Sequence, residues 1–244
     1  MATIAIGDLH GNARALDDLL AAVRPELGPG DELVFLGDYL DGWPWVPECV
    51  DRILELRASG PCPVVALMGN HEQWMLKSHR NPTAHSWVLG MGGLDTVASY
   101  SPEAAAAIAS EIDAAGPQIV LGKVPVSYER FFDALPPTHL EFFLALRASH
   151  QSPDVLCVHG GSPGGALDAV PDEVFIWGPK EFPDRYDDDQ VVVYGHRNNA
   201  VLDEAGWPRP RVTRDRAFGI DTIRHGVLTA MRFPDRKVFQ SRRY

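Results

Sequence analysis

Apolar residues along this chain fall into short runs that alternate with stretches of helical spacing. "TIAI" (3–6), "ELVFL" (32–36) and "PVVAL" (63–67) are short enough, and rich enough in β-branched residues, to read as buried strands. Between the first two, Ala13, Leu16, Leu19, Leu20 and Val23 recur at helical spacing until Pro25 breaks the pattern. Between the second and third, "CVDRILELRASG" (49–60) reads as a helix closed by Gly60. Strand, helix, strand, helix, strand at roughly thirty residues per step predicts βαβ units with parallel strands.

The pattern changes over about 78–150. An alanine-rich helix is predicted over 103–115 and another near "THLEFFLALRAS" (138–149), with no strong strand signal between them. The segment therefore reads as a helical insertion within one domain spanning 1–244, rather than a second domain. Strands return at "VLCVHGG" (155–161), "VVVYGH" (191–196), "AFGID" (217–221), "GVLTAMRF" (226–233) and "KVFQS" (237–241), the last two as a hairpin. Acidic "DRYDDDQ" (184–190) reads as a solvated loop.

Composition narrows the classes. At 244 residues with a net charge of −11, the chain can bury a large core, and its surface suits neither a nucleic-acid polymer nor an anionic membrane. The three cysteines share no metal-type spacing, and Cys62 and Cys157 sit in apolar runs as core residues. The N-terminal residues lack the pattern of a signal peptide, and no stretch reads as a transmembrane segment, so a cytoplasmic protein is expected.

The chemistry lies at the strand ends. "GDLHG" (7–11), "GDYLDG" (37–42), "GNHE" (69–72), "VHGG" (158–161) and "YGH" (194–196) each follow an apolar run with Asp, Asn or His beside glycine. One Gly-Asp is ordinarily a turn, and one His at a strand end is ordinarily a hydrogen-bonded structural residue. Five in order, each at the carboxyl end of a strand where open α/β folds bind ligands, point to a site. Asp8, His10, Asp38, Asn70, His159 and His196 offer oxygen and imidazole nitrogen without thiolate, a set suited to manganese, iron, zinc or cobalt. Six ligands exceed the needs of one ion, and two ions sharing a carboxylate would use them all.

This ordered set resembles the calcineurin-like metallophosphoesterases, in particular the phosphoprotein phosphatase branch with its bacterial serine/threonine phosphatases and symmetrical diadenosine tetraphosphate hydrolases. "WVLGMGGLDTVASY" (87–100) and "GIDT" (219–222) are weaker matches to the same branch. The resemblance implies a four-layer α/β/β/α sandwich of two mixed sheets, with the insertion as a lid. It implies two divalent ions, manganese first, on Asp8, His10 and Asp38 and on Asp38, Asn70, His159 and His196. A hydroxide between them would attack phosphorus in line, with His71 as general acid and Asp41 orienting it; for Asp41 the bland reading is an Asx-turn acceptor. The implied partner is a phosphorylated substrate, a phosphoprotein or small phosphoester. Hydrolysis of a dinucleoside polyphosphate is the alternative, and a non-catalytic metal-binding scaffold a second.

Three departures stand out. The branch's arginine after Asp41 is replaced by Gly42, Trp74 lies where a second arginine follows GNHE, and "IWGPKEF" (176–182) lacks a third. Arg197, next to His196, is the first candidate to bind substrate phosphate in their place; Lys180 and Arg80 follow. Trp43 and Trp45 read as a hydrophobic cover over the following helix, or as a stacking wall for a leaving group. His79 and His85, away from any strand end, read as surface histidines.

Overall fold

Along the first strands, burial alternates between two destinations, and that alternation sets the layers. A computed structural model describes residues 1–244. In β1 (Thr3–Ile6) Ile4 and Ile6 enter one core while Ala5 enters another. In β2 (Glu32–Phe35) Leu33 and Phe35 face the first core, and Val34 faces the second. Side chains one residue apart point to opposite faces of a strand, so each strand feeds two apolar layers.

Helix α1 (Ala13–Val23) follows β1, and α2 (Val46–Ser59) leads from β2 to β3 (Val64–Ala66). Strands β1, β2 and β3 run parallel, as the βαβ spacing predicts. Helix α3 (Asn70–Arg80) begins directly at the GNHE motif. The middle of the chain is helical: α4 (Ser86–Gly90), α5 (Gly93–Tyr100), α6 (Pro102–Ala115), α7 (Glu129–Ala134) and α8 (Pro137–Leu144). Trp87, Val97, Ile108, Tyr128, Phe131 and Phe143 from this segment join the core lined by α1 and α2.

The second half builds the other sheet. Strand β4 (Ser149–Gln151) is antiparallel to β5 (Leu156–Val158) and lies where the 138–149 pattern predicts the end of a helix. Helix α8 stops at Leu144, because "SHQ" is recruited as an edge strand by pairing that its composition does not signal. After α9 (Asp172–Trp177) come β6 (Val192–Tyr194), the short pair β7 (Val201–Leu202) and β8 (Pro208–Arg209), β9 (Arg211–Thr213), β10 (Ala217–Gly219), β11 (Thr229–Phe233) and β12 (Lys237–Gln240).

Two mixed five-stranded sheets result, in the orders β12-β11-β1-β2-β3 and β4-β5-β6-β10-β9. The expected hairpin joins β11 and β12, and carries them onto the first sheet beside β1. Val34, Leu67, Cys157, Val193, Phe218 and Met231 fill the layer between the sheets. Helices α1 and α2 with the insertion cover the first sheet. Short α9 and the irregular chain through Phe182 and Tyr186 cover the second. This is the four-layer α/β/β/α sandwich, with a thick helical layer on one side and a thin one on the other. Cys49, Cys62 and Cys157 are buried and unbridged.

Candidate active site

The parallel strands β1, β2 and β3 of one sheet and β5 and β6 of the other end along the same edge of the sandwich, so their loops converge. Asp8, His10, Asp38, Asn70 and His196 line one cleft of about 350 Å³ there, together with His71, Met91, Arg197, Asp221 and Arg224. His159 lies beneath it, fully buried. All six residues of the predicted ligand set therefore meet at one place. Asp38 stands at the centre. Donor atoms of His10, Asp38 and His71 lie within 4.8 Å of one another, as do those of Asp38, His159 and His196. His71, rather than Asp8, completes the first of these groups.

The loops that deliver these side chains are forced into uncommon backbone. His10, Asp38, Asp41, His196 and Arg197 all have positive φ, between 46° and 64°. Left-handed conformations of non-glycine residues are held by their surroundings and cluster where function demands a geometry. Two glycines serve contact rather than conformation: a Cβ on Gly69 would overlap Asp38 Oδ1, and one on Gly195 would overlap Asp8 Oδ1.

Two imidazoles are oriented by backbone. His10 Nδ1 lies 2.9 Å from the Leu40 carbonyl and His159 Nδ1 lies 3.0 Å from that of Leu36. A carbonyl only accepts, so each Nδ1 carries the proton and each Nε2 turns toward Asp38 Oδ2, at 3.7 and 3.4 Å. Burial opposes the charged form of Asp38, but His159 and His71 override it and hold its carboxyl well below the usual range. His196 is pushed down to about 3 by burial and by His159, and is neutral.

Asp8 is fully buried; its Oδ2 accepts the His196 N–H at 2.9 Å, and its Oδ1 has no partner. Asp221 is 3 % exposed and takes the Asn198 N–H on Oδ2, with Oδ1 likewise unpartnered. Burial, then mutual repulsion with Asp221 and Asp38, raises Asp8 well above a normal carboxyl. Burial also raises Asp221. Unsatisfied buried carboxylate oxygens beside imidazole Nε2 atoms turned toward the same carboxylate are a donor set that a divalent cation fits.

His71 and Asp41 form a second arrangement. His71 Nδ1 lies 2.6 Å from Asp41 Oδ2, and its Nε2 lies 3.8 Å from Asp38 Oδ2. Burial would lower His71, but Asp38 and the bond to Asp41 raise it to about 9. Asp41 is fixed from the insertion, with Trp87 Nε1 donating at 3.1 Å and Thr96 Oγ1 at 2.5 Å. Asp41 is thus no simple turn acceptor.

The cations divide. Arg197 lines the cleft, and its Nη2 donates to the Trp177 carbonyl at 2.8 Å. Lys180 and Arg80 do not line it. The tryptophans divide too. Trp45 packs on the helical core under the Arg14 guanidinium, as a cover. Trp43 also touches that core, and lines a recess of about 200 Å³ with His10, Asp41, Gly42, His71, Met91 and Arg224. His79 is exposed as expected, but His85 is not a surface residue. It is 5 % exposed, with Nδ1 at 2.8 Å from the Tyr128 hydroxyl and Nε2 at 2.9 Å from the Val124 carbonyl. Its partners lie some forty residues downstream, beyond what local spacing signals.

Three contributors have little sequence signal. Glu72, fully buried, accepts from the backbone N–H groups of Asp38, Tyr39, Leu40 and Gly69, which locks the loop carrying Asp38. Its carboxyl is raised by burial and Asp38 to about 7. Asp221 could have been found from "GIDT", a further acid after an apolar run. Arg224 carries no local signal.

The calcineurin-like phosphoesterase model matches residues 1–226. No curated protein matches significantly. Among solved structures, a provisionally assigned diadenosine tetraphosphatase is similar, at 19 % identity and a TM-score of 0.58 over 98 % of this chain and 92 % of its own. A cold-active protein-tyrosine phosphatase of a psychrophilic Shewanella species matches at 15 % identity and 0.55, over 99 % and 80 %. Protein PH1004 from Pyrococcus horikoshii OT3 matches at 14 % and 0.51, over 100 % and 88 %. At these identities the likeness is one of fold.

Proposed function

The chain belongs to the calcineurin-like phosphoesterase family, and from that premise we propose a two-metal phosphoesterase that hydrolyses phosphomonoesters, a phosphoprotein being the leading substrate class. The observation that carries the reading is Asp38 as the shared member of two donor groups, with Asp8 Oδ1 buried and unpartnered in the same cleft. Asp8, His10 and Asp38 would hold one divalent ion, and Asp38, Asn70, His159 and His196 the other. The donor types accept manganese first, with iron, zinc or cobalt as possible occupants. When bound, such ions lower the pKa of water and neutralise charge on phosphoryl oxygens.

The remaining work falls to the chain's own side chains. His71 would hold a proton on Nε2, facing the cleft, and give it to the leaving oxygen. Asp41 receives the Nδ1 hydrogen, keeps the ring in place and favours its charged form, while Trp87 and Thr96 prevent the carboxylate from turning away. Arg197 would bind substrate phosphate from the Trp177 side. Residues 1–244 would form one domain, with α4–α8 as a lid that contributes Met91 to the cleft. No helix is long and apolar enough to cross a membrane.

One observation favours a second reading. Trp43 walls the recess next to His71, where a nucleobase could stack, so a dinucleoside polyphosphate is the alternative substrate. Phosphate release by the Mn²⁺-loaded protein separates the readings, with a phosphopeptide and diadenosine tetraphosphate assayed side by side and chelator as control. Release from the phosphopeptide, abolished by chelator, is the expected result; release only from the dinucleotide selects the alternative. No release from either, with metal bound, leaves the scaffold.

A further inference from the structure

The two recesses of the site share four lining residues: His10, His71, Met91 and Arg224. One recess holds the carboxylates and imidazoles; the other holds Asp41, Gly42 and Trp43. On the reading just given, the phosphoryl group belongs in the first and the leaving group in the second. The bond to be broken then crosses the junction, where His71 stands ready to protonate the leaving oxygen. Arg224 is the cation at that junction.

Its circumstances are unusual for this molecule. Acids outnumber bases, 33 to 22, and most arginines here are engaged by a carboxylate, a carbonyl or an aromatic ring. The side chain of Arg224 is exposed and engaged by none of these. Arg197, the other cation in the cleft, is already committed in part to the Trp177 carbonyl. The backbone beneath Arg224 is fixed. Ile223 is fully buried, the Gly226 N–H donates to the Ile223 carbonyl at 2.7 Å, and Thr222 Oγ1 donates to the Val227 carbonyl at 2.7 Å. A short 3₁₀ turn so anchored presents one free guanidinium at the mouth of both recesses. Five N–H donors in a planar fork match two oxygens of a phosphoryl group, a geometry an ammonium lacks.

We infer that Arg224 is the principal cation binding the substrate's phosphoryl oxygens, holding them at the junction so that the leaving group enters the Trp43 recess. The inference rests on the phosphoesterase reading for the orientation of substrate, but its first test does not need turnover. Binding of inorganic phosphate to Mn²⁺-loaded protein is measured by calorimetry for the wild type, Arg224→Ala, Arg224→Lys and Arg197→Ala, with Mn²⁺ stoichiometry and melting temperature recorded for each. Loss of a charge-assisted pair should weaken phosphate by about tenfold or more in Arg224→Ala, with metal content unchanged, and Arg224→Lys should recover part of it. Arg197→Ala should cost less. With p-nitrophenyl phosphate, Arg224→Ala should raise KM by a comparable factor. Phosphate affinity in Arg224→Ala within about twofold of the wild type would overturn the assignment, as would a wild type that binds no phosphate. Arg224-dependent phosphate binding without hydrolysis of any phosphoester would instead sink the hydrolase reading and leave this one standing.

Discussion

Asp41 shows how much one carboxylate can be asked to do. It is 2 % exposed, takes hydrogens from Trp87 and Thr96, and lies 2.6 Å from His71. An asparagine there would keep the size but replace one of the two acceptor oxygens with an NH2 donor, and would lose the charge that favours a protonated His71. Asp41→Asn should therefore lower kcat by about a hundredfold with bound Mn²⁺ per chain unchanged, the usual worth of a positioned proton donor. An unaltered kcat would return Asp41 to a purely structural role. The residue scale was partly legible. Asp8, Asp38 and Asn70 declare themselves as polar residues closing apolar runs, and His10, His159 and His196 follow the same rule. Glu72 did not, because its partners are four backbone N–H groups supplied mostly by a loop more than thirty residues away.

At the scale of elements, the working unit is a strand, a tight loop in left-handed backbone, and a helix or second loop. The unit depends on close approach, and Gly195 tests it. A methyl group there meets Asp8 Oδ1, so Gly195→Ala must displace the carboxylate or the β6 loop. Displacement in a packed interior costs about 1–3 kcal/mol. Here it should appear as weaker Mn²⁺ binding by calorimetry, alongside a modest fall in melting temperature. Full metal affinity in this variant would mean that Asp8 is not needed to hold metal. The long, periodic elements were readable: α1, α2 and α6 stand where apolar spacing puts them. Strands β4, β7, β8 and β9 were not, since none is a buried apolar run like β5 or β6 and each exists only through its partner.

For the whole molecule, the insertion is part of the main core and also the source of Asp41's restraints. His85 ties one end of it together. Burial holds this imidazole below its ordinary 6.5, and its neutral form donates from Nε2 to the Val124 carbonyl while accepting from the Tyr128 hydroxyl at Nδ1. As pH falls below 6.5 the unfolded chain takes up a proton at this site before the folded one does. Stability is therefore full above that value and declines as pH falls from it toward the lower folded value. The melting temperature of chelator-treated protein should drop over this window. The gap between wild type and His85→Gln should narrow as it drops. A gap constant with pH would mean that His85 does not titrate with folding.

The amino-acid sequence by itself determined which oxygen and imidazole donors close the strands, the parallel βαβ start, the buried strands and the metallophosphoesterase resemblance, because these rest on local periodicity and on residue type at strand ends. Only the tertiary structure decided which cations reach the cleft, which tryptophan walls it, and which acids are left unpartnered. Arg197 and Arg224 enter while Lys180 and Arg80 stay outside, and Trp43 lines a recess that Trp45 does not reach. The physical reason is the same in each case. A side chain's role here depends on neighbours brought from another sheet or from the insertion, and no spacing along the chain encodes where those long-range contacts fall.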